Sequence, residues 1–277
     1  MKKYIALILS ALIAATLACG CKKQLSNDDN SDTGGFSAVL NGGKITVTDA
    51  NGNVIQVLDC PDAIEGSQVR TIDCNFDGYN DISVIYSRGT VNSYYHFWIY
   101  DEDAKLFFEN ETLRLMASPN FNSDSKTVSS YDRGSESDYI SSVYEWSEAD
   151  DDFNCISRQA VFGENGKLRY VQSEYRDGDE KKLSDCYIGE EAAAEIDYAI
   201  SNAENVAESR LGQTYGVYKT IYLGEANINQ DKCHRVEINT NGKKIADLYL
   251  VIGEIDRVFL TEDNGATFET INISDND

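Results

Sequence analysis

The stretch from residue 73 to residue 81 constrains the fold of this chain more than any other. It reads Asp-Cys-Asn-Phe-Asp-Gly-Tyr-Asn-Asp, with oxygen-bearing side chains at its first, third, fifth and ninth places and a glycine at the sixth. Strand-like sequence precedes it at 69–72 and follows it at 82–87. An acidic loop between two such runs predicts a β-loop-β unit, so we expect the surrounding domain to be built from strands.

The spacing of these oxygens predicts a calcium site. Carboxylates, an amide oxygen and a backbone carbonyl are hard ligands of the kind that Ca²⁺ prefers. The predicted ligands are the side chains of Asp73, Asn75, Asp77 and Asp81 and the backbone carbonyl of Tyr79. An EF-hand would continue to a glutamate at the twelfth place, where this chain has Val84. The alternative is an Asx-rich turn whose carboxylates are solvated and bind no ion.

The N-terminus predicts secretion and a lipid anchor. Lys2 and Lys3 precede an apolar run over 4–18, as in a signal peptide, and the run is shorter than the roughly 20 residues of a spanning helix. The residues before Cys19 resemble a bacterial lipobox, which predicts that Cys19 carries acyl chains after removal of 1–18; Cys21 is the alternative residue. We therefore expect a protein of the bacterial cell surface or periplasm, lipid-anchored to the membrane. The competing interpretation is an ordinary cleaved signal.

Charge narrows the classes of partner. The chain has 24 basic and 47 acidic residues and a net charge of −23. Such a surface repels nucleic acid and anionic headgroups, whereas it attracts cations and basic proteins. The alternative interpretation is that the negative charge only keeps a secreted protein soluble. The polar, acidic segment 19–35 predicts a flexible tether.

Local patterns divide the remainder into two predicted domains. Over 36–189, short strands alternate with turns such as Asn51-Gly52 and Asn165-Gly166, which predicts an all-β meander, either sandwich or propeller-like. Over 190–277, one amphipathic helix at 190–211 precedes several strands, which predicts a small α+β domain with the helix on an antiparallel sheet. The fold class is therefore mainly β. The segment 261–268 has the spacing of an Asp-box, a hairpin brace without chemistry.

Five cysteines follow the tether: Cys60, Cys74, Cys155, Cys186 and Cys233. Their odd number leaves at least one thiol unpaired within the body. Cys60–Cys74 and Cys155–Cys186 are candidate disulfides, and a buried free thiol is the alternative at each position. We expect no catalytic role for any of them.

Little in the sequence favours an enzyme. The two histidines, His96 and His234, lie in strand-like runs, and His234 and its neighbour Cys233 are expected to point to opposite faces. Nucleophile-elbow, phosphate-loop and histidine metal motifs are absent from the sequence. A carboxylate pair such as Glu145 with Asp151 keeps a cell-wall or glycan hydrolase as the alternative to a binding protein.

Five segments occur in an order that resembles a known family: 73–82, 92–101, 120–127, 131–134 and 144–146. Together they resemble the bacterial periplasmic and lipoprotein family with a single Asp-x-Asn-x-Asp-Gly loop, whose characterised member is a calcium-dependent inhibitor of a lysozyme-like secreted effector. The resemblance covers roughly residues 40–175. It implies a calcium-braced scaffold that blocks a lysozyme-like peptidoglycan hydrolase, with the same five calcium ligands. Together with the lack of enzyme motifs, this leads us to expect a binding protein and not an enzyme. The inhibitory loop of the family has no match here, and a glycan is the alternative ligand.

Overall fold

The structure, a computed structural model, describes residues 35–135 and 138–273. The predicted signal peptide, the lipidation of Cys19 and residues 19–34 of the predicted tether lie outside the described residues. Within the described part, none of the helices combines the length and apolar character needed to cross a membrane. The described residues from Gly35 onward belong to one compact unit.

Four antiparallel sheets account for the strands in the described residues. The first contains β1 (Phe36–Asn41), β2 (Lys44–Asp49) and β3 (Val54–Asp59). The second contains β4 (Arg70–Ile72), β5 (Asp81–Arg88), β6 (Ser93–Asp101) and β7 (Leu106–Glu109). The third contains β8 (Asn120–Asn122), β9 (Thr127–Ser135), β10 (Asp138–Ser147), β11 (Asp152–Glu164), β12 (Lys167–Arg176) and β13 (Asp179–Ile188). The fourth contains β14 (Tyr218–Ile228), β15 (Asp231–Thr240), β16 (Lys243–Val251), β17 (Glu254–Thr261) and β18 (Glu269–Asn272). Two helices, α1 (Glu111–Leu115) and α2 (Glu190–Ser209), complete this part of the chain.

Each strand pairs with its neighbours in the chain, so every sheet is a meander. The predicted mainly-β fold is therefore confirmed. Tight turns explain this order locally: Asn165 and Gly166, which join β11 to β12, both have positive φ (52° and 74°). Asparagine followed by glycine tolerates that conformation, which matches the twist of the flanking strands.

The second sheet is covered on both faces, and this packing fixes the position of the loop between β4 and β5. Side chains alternate along a strand, so Trp98 of β6 packs with Ile45 of the first sheet, whereas its neighbour Phe97 packs with Val128 of the third. The loop between β4 and β5 lies at one end of this sandwiched sheet. Its position is thus determined by packing on both sides.

Helix α2 buries one apolar stripe, as its sequence period predicts. Ile196, Ala203 and Val206 are buried in a core that includes residues of the fourth sheet and also Tyr170 of the third. One apolar core therefore crosses position 189, where the sequence analysis divides the chain into two domains. That division stays a prediction.

Candidate calcium loop and acidic groove

The first eight residues of the nonapeptide form the loop between β4 and β5, and its ninth residue, Asp81, is the first residue of β5. Phe76 (φ 63°) and Gly78 (φ 95°) both adopt left-handed backbone conformations. Glycine accepts such a φ without strain, and the N–H of Gly78 reaches back to the carboxylate of Asp73 at the start of the loop. The glycine at the sixth place therefore has the structural role that the motif assigns to it.

Three side chains of the loop are hydrogen-bonded to other groups of the same loop. The carboxylate of Asp73 accepts the backbone N–H groups of Asp77 and Gly78, at 3.1 and 3.0 Å. Asp77 accepts the N–H of Tyr79 at 2.8 Å and the side-chain amide of Asn75 at 2.9 Å. The structure thus links Asp73, Asn75 and Asp77 by hydrogen bonds within one loop, and their role as calcium ligands stays a prediction.

Asp81 has a different environment from the other two aspartates. It is fully buried, and its two oxygens accept the backbone N–H groups of Cys74 (2.7 Å) and Tyr100 (2.8 Å). These bonds connect the loop to β6. Burial, with a contribution from the nearby Asp77 and Asp73 carboxylates, raises the pKa of Asp81 to about 7 despite the two N–H donors.

The donor set fits calcium chemically. Three carboxylates, an amide oxygen and a backbone carbonyl are hard oxygen ligands, and no lysine or arginine in the described residues forms an ion pair with Asp73, Asp77 or Asp81. The oxygens of the three carboxylates do not all lie within 4.8 Å of one another. The ninth ligand of such loops often reaches calcium through water. Asp73 and Asp77 are more accessible than the fully buried Asp81 and therefore suit direct contact better.

A groove of about 880 Å³ runs beside the loop. The loop forms one wall through Asn75, Phe76 and Asp77. The turn between β6 and β7 and the turn between β10 and β11 contribute the other walls. The acidic residues along the groove are Asp77, Asp101, Glu102, Asp103, Glu109, Glu145, Glu148 and Asp151. Lys126, whose ammonium lies 3.5 Å from the carbonyl oxygen of Phe76, is the one basic residue that lines it.

Some acidic residues of the groove are candidate site residues in the sequence, and others are not. Glu145 and Asp151, named from sequence as a carboxylate pair, both line it. The acidic run 101–103 at the β6–β7 turn is not among the predicted site residues, although the sequence shows three consecutive acids directly after an aromatic strand. Only packing shows that this turn, the calcium loop and the β10–β11 turn face the same space.

The five cysteines of the described residues are free thiols, so the two candidate disulfides are not formed. Cys60 and Cys74 belong to apolar clusters on opposite sides of the second sheet. Strand β12 lies between the strands that carry Cys155 and Cys186. In both pairs, sheet structure lies between two cysteines whose strands are near each other in the sequence.

The histidine next to a cysteine is not part of a catalytic pair. Cys233 packs in one apolar cluster with Tyr249, whereas His234 lies on the other face, 3.2 Å from the hydroxyl of Tyr222. This is the opposite orientation that strand geometry predicts. His234 is therefore buried on the side away from Cys233.

The Asp-box segment is a hairpin brace, as predicted. Asp263 accepts the backbone N–H of Thr267 at 2.9 Å and the hydroxyls of Thr261 (2.8 Å) and Thr267 (2.6 Å). These donors lower the pKa of Asp263 to about 2, with the Thr267 hydroxyl contributing most. The Asp263 carboxylate therefore finds its hydrogen-bond donors within the turn itself.

No protein-family model and no curated protein matches the chain. Among solved structures, a Xanthomonas protein described as type IV secretion system related is 14% identical; the match covers 58% of this chain and 85% of that one, with a TM-score of 0.38. A protein of unknown function from Bacteroides fragilis is 9% identical over 74% of this chain and 89% of that one, with a TM-score of 0.18. A polysaccharide lyase, an ulvan lyase, is 14% identical over 91% of this chain and 64% of that one, with a TM-score of 0.15. Likenesses this weak carry no argument about function.

Proposed function

We propose that this chain is a surface-anchored bacterial lipoprotein whose calcium-stabilised β region binds and blocks a basic protein, of the class of lysozyme-like peptidoglycan hydrolases. One observation carries the proposal: the acidic groove has the predicted calcium loop as one of its walls. A change in that loop therefore changes the surface that a partner meets. The family resemblance of the sequence supports the same class of partner.

Charge is the main reason to expect a basic partner. Eight acidic side chains and one lysine line the groove, so its potential is negative. Complementary potentials speed association and select partners of the opposite sign. Phe76 and Trp146 add aromatic surface to the same groove, and aromatic side chains are enriched at protein interfaces. A cationic hydrolase surface with an exposed apolar side chain would match both features.

Calcium would act on this surface through the loop. Asp73, Asn75, Asp77 and the carbonyl of Tyr79 would hold the ion, with Asp81 in direct contact or joined through water. A bound Ca²⁺ supplies two positive charges, which offset the mutual repulsion of the three carboxylates. Asn75 and Asp77 are both ligands and groove residues, so the ion would hold that wall in one arrangement.

Neutralising two groove carboxylates should weaken binding of a basic lysozyme by about tenfold, mainly through a slower association rate, because charges at the rim of an interface steer encounter. The variant is Glu145→Gln with Glu148→Gln, and the measurement is surface-immobilised kinetics in calcium buffer at two salt concentrations. Glu190→Gln with Glu191→Gln is the matched control, since it removes the same charge from exposed positions at the start of α2. Equal losses in both variants, or no binding by the wild type, would contradict the proposal.

A hydrolase is the alternative, favoured by one observation: Glu145 and Asp151 line the same groove. Two carboxyl groups across a sugar ring are the usual machinery of glycoside hydrolysis. Release of reducing ends from peptidoglycan by the wild type, lost in Glu145→Gln and in Asp151→Asn, would establish the enzyme. Inhibition of an added lysozyme without any turnover would establish the binding protein.

A further inference from the structure

A second group of potential metal ligands lies beside the apolar core between the first and second sheets. One ligand atom each from Cys60, Asp62 and His96 lies within 4.8 Å of the other two. Among the described residues, no other group of three His, Cys, Asp or Glu side chains brings its ligand atoms this close together. Cys60 and His96 are almost fully buried, at 0% and 7% exposure, whereas the side chain of Asp62 is 51% exposed.

The backbone holds two of these residues in a tight turn. The N–H of Ala63 donates to the carbonyl of Cys60 at 3.3 Å, and the N–H of Cys60 donates to the carbonyl of Gly43 at 2.8 Å. Pro61 restricts the turn further because its ring fixes φ. Cys60 and Asp62 are thus positioned before any ion binds.

His96 is held from several sides. Its Nε2 lies 2.8 Å from Asp62 Oδ1 and its Nδ1 lies 2.6 Å from Glu109 Oε1. The ring is stacked on Trp98 with centroids 5.4 Å apart and lies 4.7 Å from the ring of Tyr86. The imidazole therefore cannot turn away from Asp62 without breaking these contacts.

These ligands match a thiophilic divalent ion and not calcium. Thiolate, imidazole and carboxylate are the ligand types of Zn²⁺ sites, and three protein ligands with an open fourth position are a common arrangement. A carboxylate on the second ring nitrogen of a metal-binding histidine orients the ring and raises its basicity. Glu109 is the carboxylate that contacts the second ring nitrogen, Nδ1, of His96.

We propose that Cys60, Asp62 and His96 bind a zinc-class divalent ion, with Glu109 as a positioning residue on the far nitrogen of His96. The ion would lie between Nε2 of His96 and the Asp62 carboxylate. Tetrahedral coordination with bonds near 2 Å separates nitrogen and oxygen ligands by about 3.3 Å, so this pair would move apart by about 0.5 Å. The exposed side of Asp62 offers the route of entry.

The same cluster does not suit a cysteine nucleophile. Cys60 is fully buried, so no substrate reaches its sulfur. Burial, together with the nearby Asp62 and Glu109 charges, raises the pKa of the Cys60 thiol to about 11. Reactive cysteines have exposed, electropositive surroundings instead. A metal that enters past Asp62 has no need of an exposed sulfur.

Cobalt titration tests the proposal, because Co²⁺ occupies zinc sites and a bound thiolate produces a near-ultraviolet charge-transfer band. The full chain is used, reduced and saturated with Ca²⁺, with Cys19→Ser and Cys21→Ser in every sample so that these two cysteines cannot contribute. We expect the band in this parent, its removal by Zn²⁺, and its loss in Cys60→Ser. Cys233→Ser, which alters another fully buried cysteine, should keep it.

Two further variants avoid the apolar core. Asp62→Asn and Glu109→Gln should each weaken Co²⁺ binding about tenfold or more, since the loss of ligands and of their carboxylate partners has effects of that size. Circular dichroism confirms that each variant is folded. Absence of the band from the parent, or an unchanged band in Cys60→Ser, would overturn the proposal. Neither result would bear on the proposed calcium site, because none of its predicted ligands belongs to this cluster; Cys74 and Phe76 of that loop pack on the other face of the second sheet.

Discussion

Removing calcium should lower the thermal midpoint of the 36–277 fragment by about 5 to 10 °C. An ion present at a hundred times its dissociation constant stabilises the folded state by about 2.7 kcal/mol, and a domain of this size shifts by about 2 to 4 °C for each kcal/mol. Differential scanning calorimetry with Ca²⁺ and with a chelator measures the difference directly.

Asp77→Ala should abolish this difference. Asp77 contributes a carboxylate at the centre of the loop and accepts bonds from Tyr79 and Asn75. Asp263→Ala is the matched control, because it removes an aspartate that holds a different turn by similar bonds. That control should unfold at a lower temperature yet keep its full response to chelator. Superimposable melting curves for the wild type with and without calcium would rule out the ion as a structural element.

Without calcium, the chain should lose stability as the pH rises from about 4 to about 7. An ordinary aspartate has a pKa of 3.8, whereas burial in the folded protein raises the pKa of Asp81 to about 7. Between these values the folded state binds a proton that the unfolded state has released, so the free energy of unfolding falls as pH increases. The stabilisation is complete below the unfolded pKa, and its loss is complete above the folded one. A shift of this size corresponds to an effect on the order of 4 kcal/mol.

Urea unfolding at several pH values, with and without Ca²⁺, measures this contribution. Calcium should flatten the dependence, because the nearby positive charge favours the ionised carboxylate that burial disfavours. Asp81→Asn isolates the group: its amide mispairs with one backbone N–H at every pH, which lowers stability by a constant amount. The part of the slope that Asp81 causes disappears, whereas the part caused by other buried carboxyls with a raised pKa, such as Asp197 and Glu204, remains. A calcium-free slope that is the same in wild type and Asp81→Asn would show that other groups cause it.

The two results together distinguish the roles of the loop residues. Sequence spacing treats Asp73, Asp77 and Asp81 as equivalent ligands. The structure makes Asp81 a buried brace between the loop and β6. The carboxylates of Asp73 and Asp77 instead accept hydrogen bonds from other residues of the loop. Substitution of Asp77 should therefore affect mainly the ion, whereas substitution of Asp81 should affect the ion and the packing.

Local chemistry determined much of this protein. The strands, the hairpin turns, helix α2, the acidic loop and the Asp-box brace all follow from patterns within about twenty residues, since side-chain period and turn preference act over that range. Helix α2 is an example: its predicted span of 190–211 compares with Glu190–Ser209 in the structure.

Tertiary structure alone decided which distant segments meet. Cys60 and His96 lie on different elements, and only the packing of the first sheet on the second brings them together. The same packing puts Cys60 and Cys74 on opposite sides of a sheet and places three acidic turns around one groove. The physical reason is that such contacts depend on how whole sheet faces pack, and that choice is made by the sum of many weak apolar contacts. No short stretch of sequence contains that sum.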